Sequence, residues 1–249
     1  MKDYNYSTFA EFYDEIEIDY NKAKKLNEIL DKLLKKLGKK TILDMTCGTG
    51  FQVEYLSKKG YEIIGSDLNK EMLNIAKKKC PNIKFYHGDM RNAKYGKFDA
   101  VITIFNAIGH LSKIDFEKAI RNISDNLNDN GIYIFDIFNL DFMKKNFINH
   151  EFIDTSKEVG DIKAVRFNNN KLDSKNGIMK INQKTFIQKG MNKPKIVKEK
   201  WDMKIYSSNQ LKEMLEMNGF KVLEFMDING NKLDKNKSLS ILTVARKVR

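Results

Sequence analysis

Short apolar runs alternate with helical segments over residues 20–138, and this alternation constrains the fold more than any other feature of the chain. The predicted strands are the apolar runs at 40–45, 61–66, 83–87, 98–105 and 132–138. The predicted helices, which carry apolar residues at helical spacing, are 20–37, 51–59, 69–79 and 116–127. Because strands joined by crossover helices run parallel, the pattern predicts an α/β domain with a mostly parallel sheet.

The alternation is interrupted between residues 151 and 206. Short β-prone runs replace the helices there, and the Asn176 and Gly177 pair and residues 190–194 are typical of tight turns. Three further elements are predicted beyond it, a helix at 209–218 and strands at 220–226 and 239–246. We therefore predict a seven-stranded core from residues 1–150 and 207–249, with an antiparallel β insertion at 151–206 after the fifth strand.

Positive charge exceeds negative charge, and nearly all of it is lysine. The chain has 249 residues, with 45 lysines and arginines against 33 aspartates and glutamates and a formal net charge of +12. Only five of the cations are arginines, the side chain that most often recognises phosphates and guanine. The composition therefore disfavours nucleic acid as the main partner and leaves an anionic small substrate open.

Signals for export, membrane insertion and metal binding are absent from the sequence. No apolar run approaches the roughly 20 residues of a membrane span, and the N-terminal MKDYNYSTFAEFYDE lacks the basic-then-apolar pattern of a signal peptide. Cys47 and Cys80 are too few for a disulfide framework or a zinc cluster. We expect a cytoplasmic protein with no metal centre and no membrane contact.

The first predicted strand ends in a glycine-containing loop, LDMTCGTG, at residues 43–50. Glycines between a strand and a helix let main-chain N–H groups approach a ligand closely. A dinucleotide fingerprint needs a third glycine where Val53 stands, and a P-loop needs a Gly-Lys-Ser/Thr ending that is absent. The loop therefore predicts a ligand site and argues against a nicotinamide cofactor or a nucleoside triphosphate.

Acidic residues follow the next two predicted strands. Asp67 lies 17 residues after Gly50, where a carboxylate can accept hydrogen bonds from both hydroxyls of a ribose. Asp89 follows the third strand and can accept a hydrogen bond from an adenine amino group. Either aspartate could instead cap a helix or a turn. Since parallel strands end at one edge of a sheet, we expect Gly48, Asp67 and Asp89 to lie close together.

These motifs together resemble the class I S-adenosylmethionine-dependent methyltransferases, which have a Rossmann-like fold. The resemblance is carried by LDMTCGTG, GSDLNKEML, HGDM, FDAVITIFNAIGHL and YSSNQLKEMLEMNGF. It implies S-adenosyl-L-methionine as the cofactor and S-adenosyl-L-homocysteine as its product. The residues implied near the cofactor are Tyr13, Tyr20, Asp44, Thr46, Gly48, Gly50, Asp67, Leu68, Asp89, Met90 and Phe105. The implied roles are the methionine end for Asp44, Gly48 and Gly50, the ribose for Asp67, and the adenine for Leu68, Asp89 and Met90.

A narrower resemblance concerns the small-molecule N-methyltransferases, in particular the amino-sugar and glycine types. Tyr13 and Tyr20 lie ahead of the first long helix, His110 follows the fourth strand, and the antiparallel insertion follows the fifth. The resemblance implies that the two tyrosines cover the cofactor and that the insertion forms a wall of the substrate pocket.

Methyl transfer requires alignment of the nucleophile and, for an amine or hydroxyl, removal of a proton. His110 is the candidate base because histidine titrates near neutral pH, and Tyr13 is the candidate catalytic partner that orients the acceptor. Two alternatives stay open, a purely orienting His110 and a Tyr13 that only packs against the cofactor. The residues from Phe105 to Ile108 differ from the Asn/Asp-Pro-Pro-Tyr motif of enzymes that methylate amines of bases or glutamine.

The predicted function is methyl transfer to nitrogen or oxygen of a small metabolite, such as a phosphorylated or nucleotide-linked sugar. Lys163, Lys180 and Lys184 of the insertion could attract such an anion. The alternatives are an RNA or protein methyltransferase and a non-catalytic regulator that binds the cofactor. The sequence leaves both a monomer and a homodimer open.

Overall fold

The computed structural model describes residues 10–248, so residues 1–9 and Arg249 of the predicted core lie outside the described residues. The α-helices are α1 (Tyr13–Glu17), α2 (Tyr20–Lys36), α3 (Phe51–Lys58), α4 (Lys70–Lys79), α5 (Lys113–Asp125), α6 (Leu140–Asn146) and α7 (Ser208–Met217). The strands are β1 (Thr41–Asp44), β2 (Glu62–Asp67), β3 (Phe85–His87), β4 (Phe98–Thr103), β5 (Leu127–Phe138), β6 (Phe152–Val159), β7 (Ile162–Asn168), β8 (Lys171–Asp173), β9 (Ile178–Lys189), β10 (Lys195–Lys204), β11 (Phe220–Met226) and β12 (Ser240–Lys247). Among the described helices, none combines the length and apolar character that crossing a membrane requires.

The larger sheet has seven strands in the order β11-β12-β5-β4-β1-β2-β3. Strands β1 to β5 pair in parallel, and β12 joins β5 and β11 in antiparallel fashion. This confirms the predicted Rossmann-like, mostly parallel sheet of seven strands. The chain builds outward from β1 to one side and from β4 to the other, so the crevice between β1 and β4 is the switch point at which such sheets bind ligands.

Both faces of this sheet are covered by helices. On β4 and β5, Ile102 and Ile134 pack in one core cluster with residues of α2, α3 and α4. Val101 and Phe135, one position along each strand, pack in the other cluster with residues of α5 and α7. Because successive strand side chains point to opposite faces, a strand covered on both sides is mostly apolar, as residues 98–105 are apart from Asp99 and Thr103.

The smaller sheet is antiparallel, with strand order β10-β9-β7-β6 and β8 paired to β9. All its strands fall between residues 152 and 204, within the predicted insertion range of 151–206. It packs against the core through α6, where Leu140 and Met143 contact Met203 and its neighbours in one cluster. On another part of the sheet, Ile16 of α1 packs against Ile187. The N-terminal segment and α6 therefore tie the two sheets together.

Several element boundaries differ from the predictions, and one helix was missed. The fifth strand begins at Leu127 and not at the predicted residue 132, since a bulge with Asn130 in the left-handed region (φ 58°) lets the strand start earlier. Helix α6 was not predicted, because its seven residues are too short for a periodic signal and its cap is a single bond from the Asp141 N–H to the Asn139 side chain. Strand β4 ends at Thr103, two residues early.

Candidate functional site

A cavity of about 380 Å³ opens at the carboxyl edge of the parallel sheet, under α1. Loops that follow β1, β2, β3 and β4 form its walls. The predicted site residues that line it are Tyr13, Thr46, Gly48, Asp67, Leu68, Asp89, Met90, Phe105 and His110. Tyr20, Asp44 and Gly50 are predicted residues outside the lining. The sheet thus brings together residues spread over nearly 100 positions of sequence.

The loop after β1 is held close to the cavity by its glycines. Gly48 and Gly50 adopt left-handed backbone conformations (φ 51° and 84°), which glycine reaches without steric cost. A Cβ on Gly50 would also lie 3.1 Å from the Cβ of Ala76, which is tighter than ordinary contact, so glycine favours this start of α3. Gly50 therefore contributes to the conformation of the loop without lining the cavity, whereas Gly48 lines it.

Asp67, at the end of β2, connects two loops of the cavity. Its Oδ2 accepts a hydrogen bond from the Gly48 N–H at 2.8 Å, and its Oδ1 accepts one from the Asn69 N–H at 2.8 Å. Burial raises the pKa of this carboxyl group. Because a carboxylate has about four lone-pair sites and this one lines the cavity, it keeps acceptor capacity for a ligand with hydroxyl donors.

The base of the glycine loop carries polar atoms that lack protein partners. Asp44 is buried beneath the loop, where its Oδ1 accepts from the Thr46 N–H at 3.1 Å. Thr46 Oγ1 and Gln52 Nε2 are buried and have no hydrogen-bond partner within the described part of the chain. Both residues line the cavity. Since buried polar groups are nearly always satisfied, these two atoms are available for hydrogen bonds to a polar ligand at this end.

Asp89 has a partner that the motif did not reveal. The Arg91 guanidinium forms a bidentate pair with it, with Nε 2.9 Å from both carboxylate oxygens. This pair holds the pKa of Asp89 below its usual range. Arg91 also lies 3.7 Å from Asp115, and all three residues line the cavity. Leu68, which is 62% exposed, and Met90 line the same region. Their side chains give this end of the cavity an apolar surface beside the ionised carboxylate of Asp89.

A second cavity of about 190 Å³ lies between the core and the insertion. Its lining consists of Tyr13, Glu17, Ile18, Phe105, Asn106, His110, Gln183, Trp201 and Met203. Tyr13, Ile18, Phe105 and His110 also line the larger cavity. The two spaces, called here the outer and the inner cavity, therefore meet at the two residues predicted to be catalytic.

Tyr13 is held at this junction by α1. Burial, together with the charges of Glu17, Asp67 and Asp14, raises the pKa of its phenol well above the usual value. This raised pKa favours the protonated phenol, which can donate a hydrogen bond at the junction. The Asp14 carboxylate accepts from Thr49 Oγ1 at 2.6 Å and pairs with Lys79, which fastens the helix to the core.

Tyr20 lies apart from this junction. It is 57% exposed and packs edge-on against the ring of Phe51, with ring centroids 5.8 Å apart. Phe51 does line the outer cavity. A cover formed by Tyr20 over the cofactor therefore stays a prediction.

The turn after β4 is strained and is held by a buried acid. Phe105 and Asn106 have φ values of 63° and 57°, a conformation that costs about 1 kcal/mol or more for residues with a side chain. Asp136 of β5 accepts from the Asn106 N–H, with both carboxylate oxygens 3.3 Å away. Burial raises the pKa of Asp136 to about 7. This turn leads into the short 3-10 helix that ends at His110, so it sets where the imidazole lies.

The four strand-end loops and the cavity at the switch point define a Rossmann-like α/β domain whose cavity lies where such sheets bind ligands. Residues 42–131 match the family model described as a methyltransferase domain, and this match confirms the resemblance inferred from the motifs.

Characterised relatives share parts of the chain. A dTDP-3-amino-3,4,6-trideoxy-alpha-D-glucopyranose N,N-dimethyltransferase of Streptomyces venezuelae is 31% identical over 96 residues, which is 38% of this chain and 40% of that enzyme. A glycine/sarcosine N-methyltransferase of Parasynechococcus marenigrum is 32% identical over 142 residues, 53% of this chain and 50% of the relative. The chain thus matches half or less of the length of these two relatives.

The whole described fold has a structural counterpart. The crystal structure of an S-adenosylmethionine-dependent methyltransferase from Clostridium acetobutylicum superposes with a TM-score of 0.82. It covers 98% of this chain and 99% of its own, at 21% sequence identity. The likeness therefore extends over the core and the insertion, and at this identity it concerns the fold.

Proposed function

We propose that this chain is an enzyme that transfers a methyl group from S-adenosyl-L-methionine to nitrogen or oxygen of a small molecule. The observation that carries the proposal is the meeting of two cavities at Tyr13 and His110. One cavity has the features of a nucleoside site, and the insertion forms part of the wall of the other. A reaction between a cofactor and a separate acceptor needs this arrangement, since each must reach the other while water is kept out.

The outer cavity suits the cofactor along its whole length. Asp67 offers free lone pairs to the ribose, and Leu68 and Met90 offer apolar surface to the adenine beside Asp89. The unpartnered atoms of Thr46 and Gln52 lie at the end assigned to the amino-acid group. When bound, the cofactor supplies an electrophilic methyl group on a sulfonium. The protein residues then align the acceptor and remove its proton, with His110 as the base and Tyr13 as a donor that orients it.

A sugar is the favoured acceptor within this proposal. The name of the Streptomyces relative specifies a nucleotide-linked amino sugar. The structural likeness to a methyltransferase also extends over both the core and the insertion. Lys163, Lys180 and Lys184 line neither cavity. Lys163 pairs with Glu158 at 3.2 Å, and Lys184 lies 4.6 Å above the ring of Phe186. Any attraction of these lysines for an anionic acceptor therefore acts outside the cavities.

The proposal is tested by incubating the purified protein with methyl-labelled S-adenosyl-L-methionine and separate panels of amino sugars, RNA and protein. Labelled product from the small-molecule panel with release of S-adenosyl-L-homocysteine is the expected result. Label in RNA or protein alone would instead support a macromolecular methyltransferase. Tight cofactor binding without turnover on any panel would support a non-catalytic regulator.

Cofactor affinity is expected to rise with pH and to level off near pH 8. Burial raises the pKa of Asp44 to about 8, so the free protein holds a proton there at neutral pH. The ammonium group of the cofactor favours the ionised carboxylate and lowers this pKa in the complex. Between the two pKa values the complex binds fewer protons than the free protein, so affinity rises by up to about tenfold per pH unit.

Calorimetric titrations with S-adenosyl-L-homocysteine between about pH 6 and pH 9 measure this dependence. Asp44→Asn is the matched control, because the ligand amino group and the neighbouring Asp67 titrate in both proteins. The wild-type protein should show the additional rise and release a proton on binding at pH 7. Parallel pH curves for the two proteins would contradict the role of Asp44.

A further inference from the structure

The inner cavity carries a charge pattern that bears on the chemistry of the acceptor. Its nine lining residues all lie within the described part of the chain and include no lysine and no arginine. Glu17 is the acidic member of the lining. We propose that this cavity receives the acceptor as an amine that is free of carboxylate or phosphate near its nitrogen, with Glu17 and Asn106 as the residues that select it.

The first support is the fixed position of the Glu17 carboxylate. Arg166 Nη1 donates to its Oε2 at 2.8 Å, and Nη2 donates to Oε1. Arg166 is 4% exposed and lies in β7, behind the lining, with Asp154 3.6 Å away. The guanidinium therefore orients the carboxylate from behind and is itself shared with a second acid. The group that the cavity presents is the carboxylate and not the cation.

The second support is an unsatisfied acceptor in the same lining. Asn106 Oδ1 is buried and has no hydrogen-bond partner among the described residues. Asn106 stands in the strained turn after β4, directly beside Phe105, which borders both cavities. An amine or ammonium group provides N–H donors for both this oxygen and the Glu17 carboxylate. A carboxylate or phosphate provides only further acceptors, so it would leave this oxygen without a donor and would repel the Glu17 carboxylate.

The other residues that line the inner cavity suit a compact, partly apolar acceptor. Trp201 and Met203 of β10 supply apolar surface, and Gln183 of β9 supplies one buried amide. The Gln183 Nε2 lies 3.5 Å from Thr185 Oγ1, which also accepts from Arg166 Nε at 3.3 Å. This network fixes the amide side chain against the insertion. An amino sugar, with an apolar ring face and hydroxyl groups, matches such walls.

The inference rests on the proposed methyl transfer and separates two acceptor classes named among the relatives. Glycine carries its carboxylate one carbon away from its nitrogen, so binding in the inner cavity would bring that anion near Glu17. An amino sugar brings only hydroxyl groups and ring carbons. A nucleotide-linked amino sugar would have to keep its phosphates outside the inner cavity.

The test uses the full chain saturated with S-adenosyl-L-homocysteine, which is then titrated calorimetrically with three probes. The probes are 3-amino-3-deoxy-D-glucose, D-glucose and glycine. We expect the amino sugar to bind at least about tenfold more tightly than glucose or glycine, because charge-assisted hydrogen bonds contribute about 1.5–3 kcal/mol. Glu17→Gln removes the charge at constant shape, and Asn106→Gly removes Oδ1 while keeping the left-handed turn accessible.

Each variant should weaken the amino sugar by about tenfold and leave glucose nearly unchanged. Glu11→Gln, an exposed substitution of the same type in the same segment, is the control and should change nothing. Glycine binding as tightly as the amino sugar, no probe binding, or unchanged amino-sugar affinity in both variants would overturn the inference. Absence of heat with S-adenosyl-L-homocysteine itself would instead reject the proposed function, so the two failures are distinguishable. Asn106→Gly leaves the Glu17 and Arg166 pair intact, so it serves if Glu17→Gln unfolds.

Discussion

Replacing Asp67 by alanine is expected to weaken the binding of S-adenosyl-L-homocysteine about 100-fold. The change removes the predicted acceptor of the ribose hydroxyls, and it also removes the partner of the Gly48 and Asn69 N–H groups. Loss of one hydrogen bond to a charged group costs about 1.5–3 kcal/mol, so two lost bonds correspond to about 100-fold or more. Isothermal titration calorimetry at fixed pH measures the loss directly.

Two further variants define what the Asp67 result means. Asp129→Ala removes an exposed carboxylate and should leave the affinity unchanged. Asp67→Asn keeps one carbonyl oxygen for the loop N–H groups but loses the charge, so it should retain more of the thermal stability than Asp67→Ala while still binding weakly. Wild-type affinity in Asp67→Ala, with the protein folded, would remove the ribose from the assignment of this site.

The position of Asp67 illustrates why the core of the site could be predicted from the sequence. The alternation of strand and helix determines that β1, β2 and β3 run parallel, and parallel strands end at one edge. A residue just past a strand therefore has a predictable place, whatever its distance along the chain. The same logic predicted that Gly48, Asp67 and Asp89 would line one cavity, and they do.

The inner cavity could not be predicted in this way. Glu17 and Arg166 are 149 residues apart and belong to no motif, and their pairing depends on how α1 lies across the insertion. An antiparallel unit has no shared ligand-binding edge, so the alternating pattern of β9 indicates which residues are buried but not which space they face. Gln183 and Trp201 are therefore visible in the sequence only as buried residues of a sheet.

Asp136 and Arg91 show two further limits. Asp136 lies in the apolar run of β5, and nothing in the sequence indicates why an acid occurs there. Its role is clear only from the structure, where its carboxylate accepts from the Asn106 N–H. Arg91 follows Asp89 by two residues in a loop, where neither helix nor strand periodicity constrains the side chains. Short-range loop geometry, unlike strand order, leaves little trace in a single sequence.

Replacing His110 by alanine is expected to lower kcat about 100-fold or more while changing the affinity for S-adenosyl-L-homocysteine by less than about twofold. His110 lines both cavities, so an imidazole there can take the acceptor proton, and general base catalysis contributes about 100-fold to 10,000-fold. Single-turnover rates with saturating cofactor isolate this step from binding. His150→Ala, an exposed histidine outside both linings, is the control and should behave as wild type.

His110→Gln separates a base from an orienting residue, the alternative that the sequence left open. Glutamine can still accept a hydrogen bond but does not titrate near neutral pH, so a base requires kcat to fall in both variants. The acidic limb of the wild-type pH–rate profile should also change in both variants, because the protonated imidazole no longer contributes to it and only the titration of the acceptor amine remains. Recovery of most of the wild-type kcat by glutamine, with the acidic limb retained, would assign the proton to another acceptor. Because burial keeps the Tyr13 phenol protonated, the Glu17 carboxylate, water or the acceptor itself would then be the candidates at this junction.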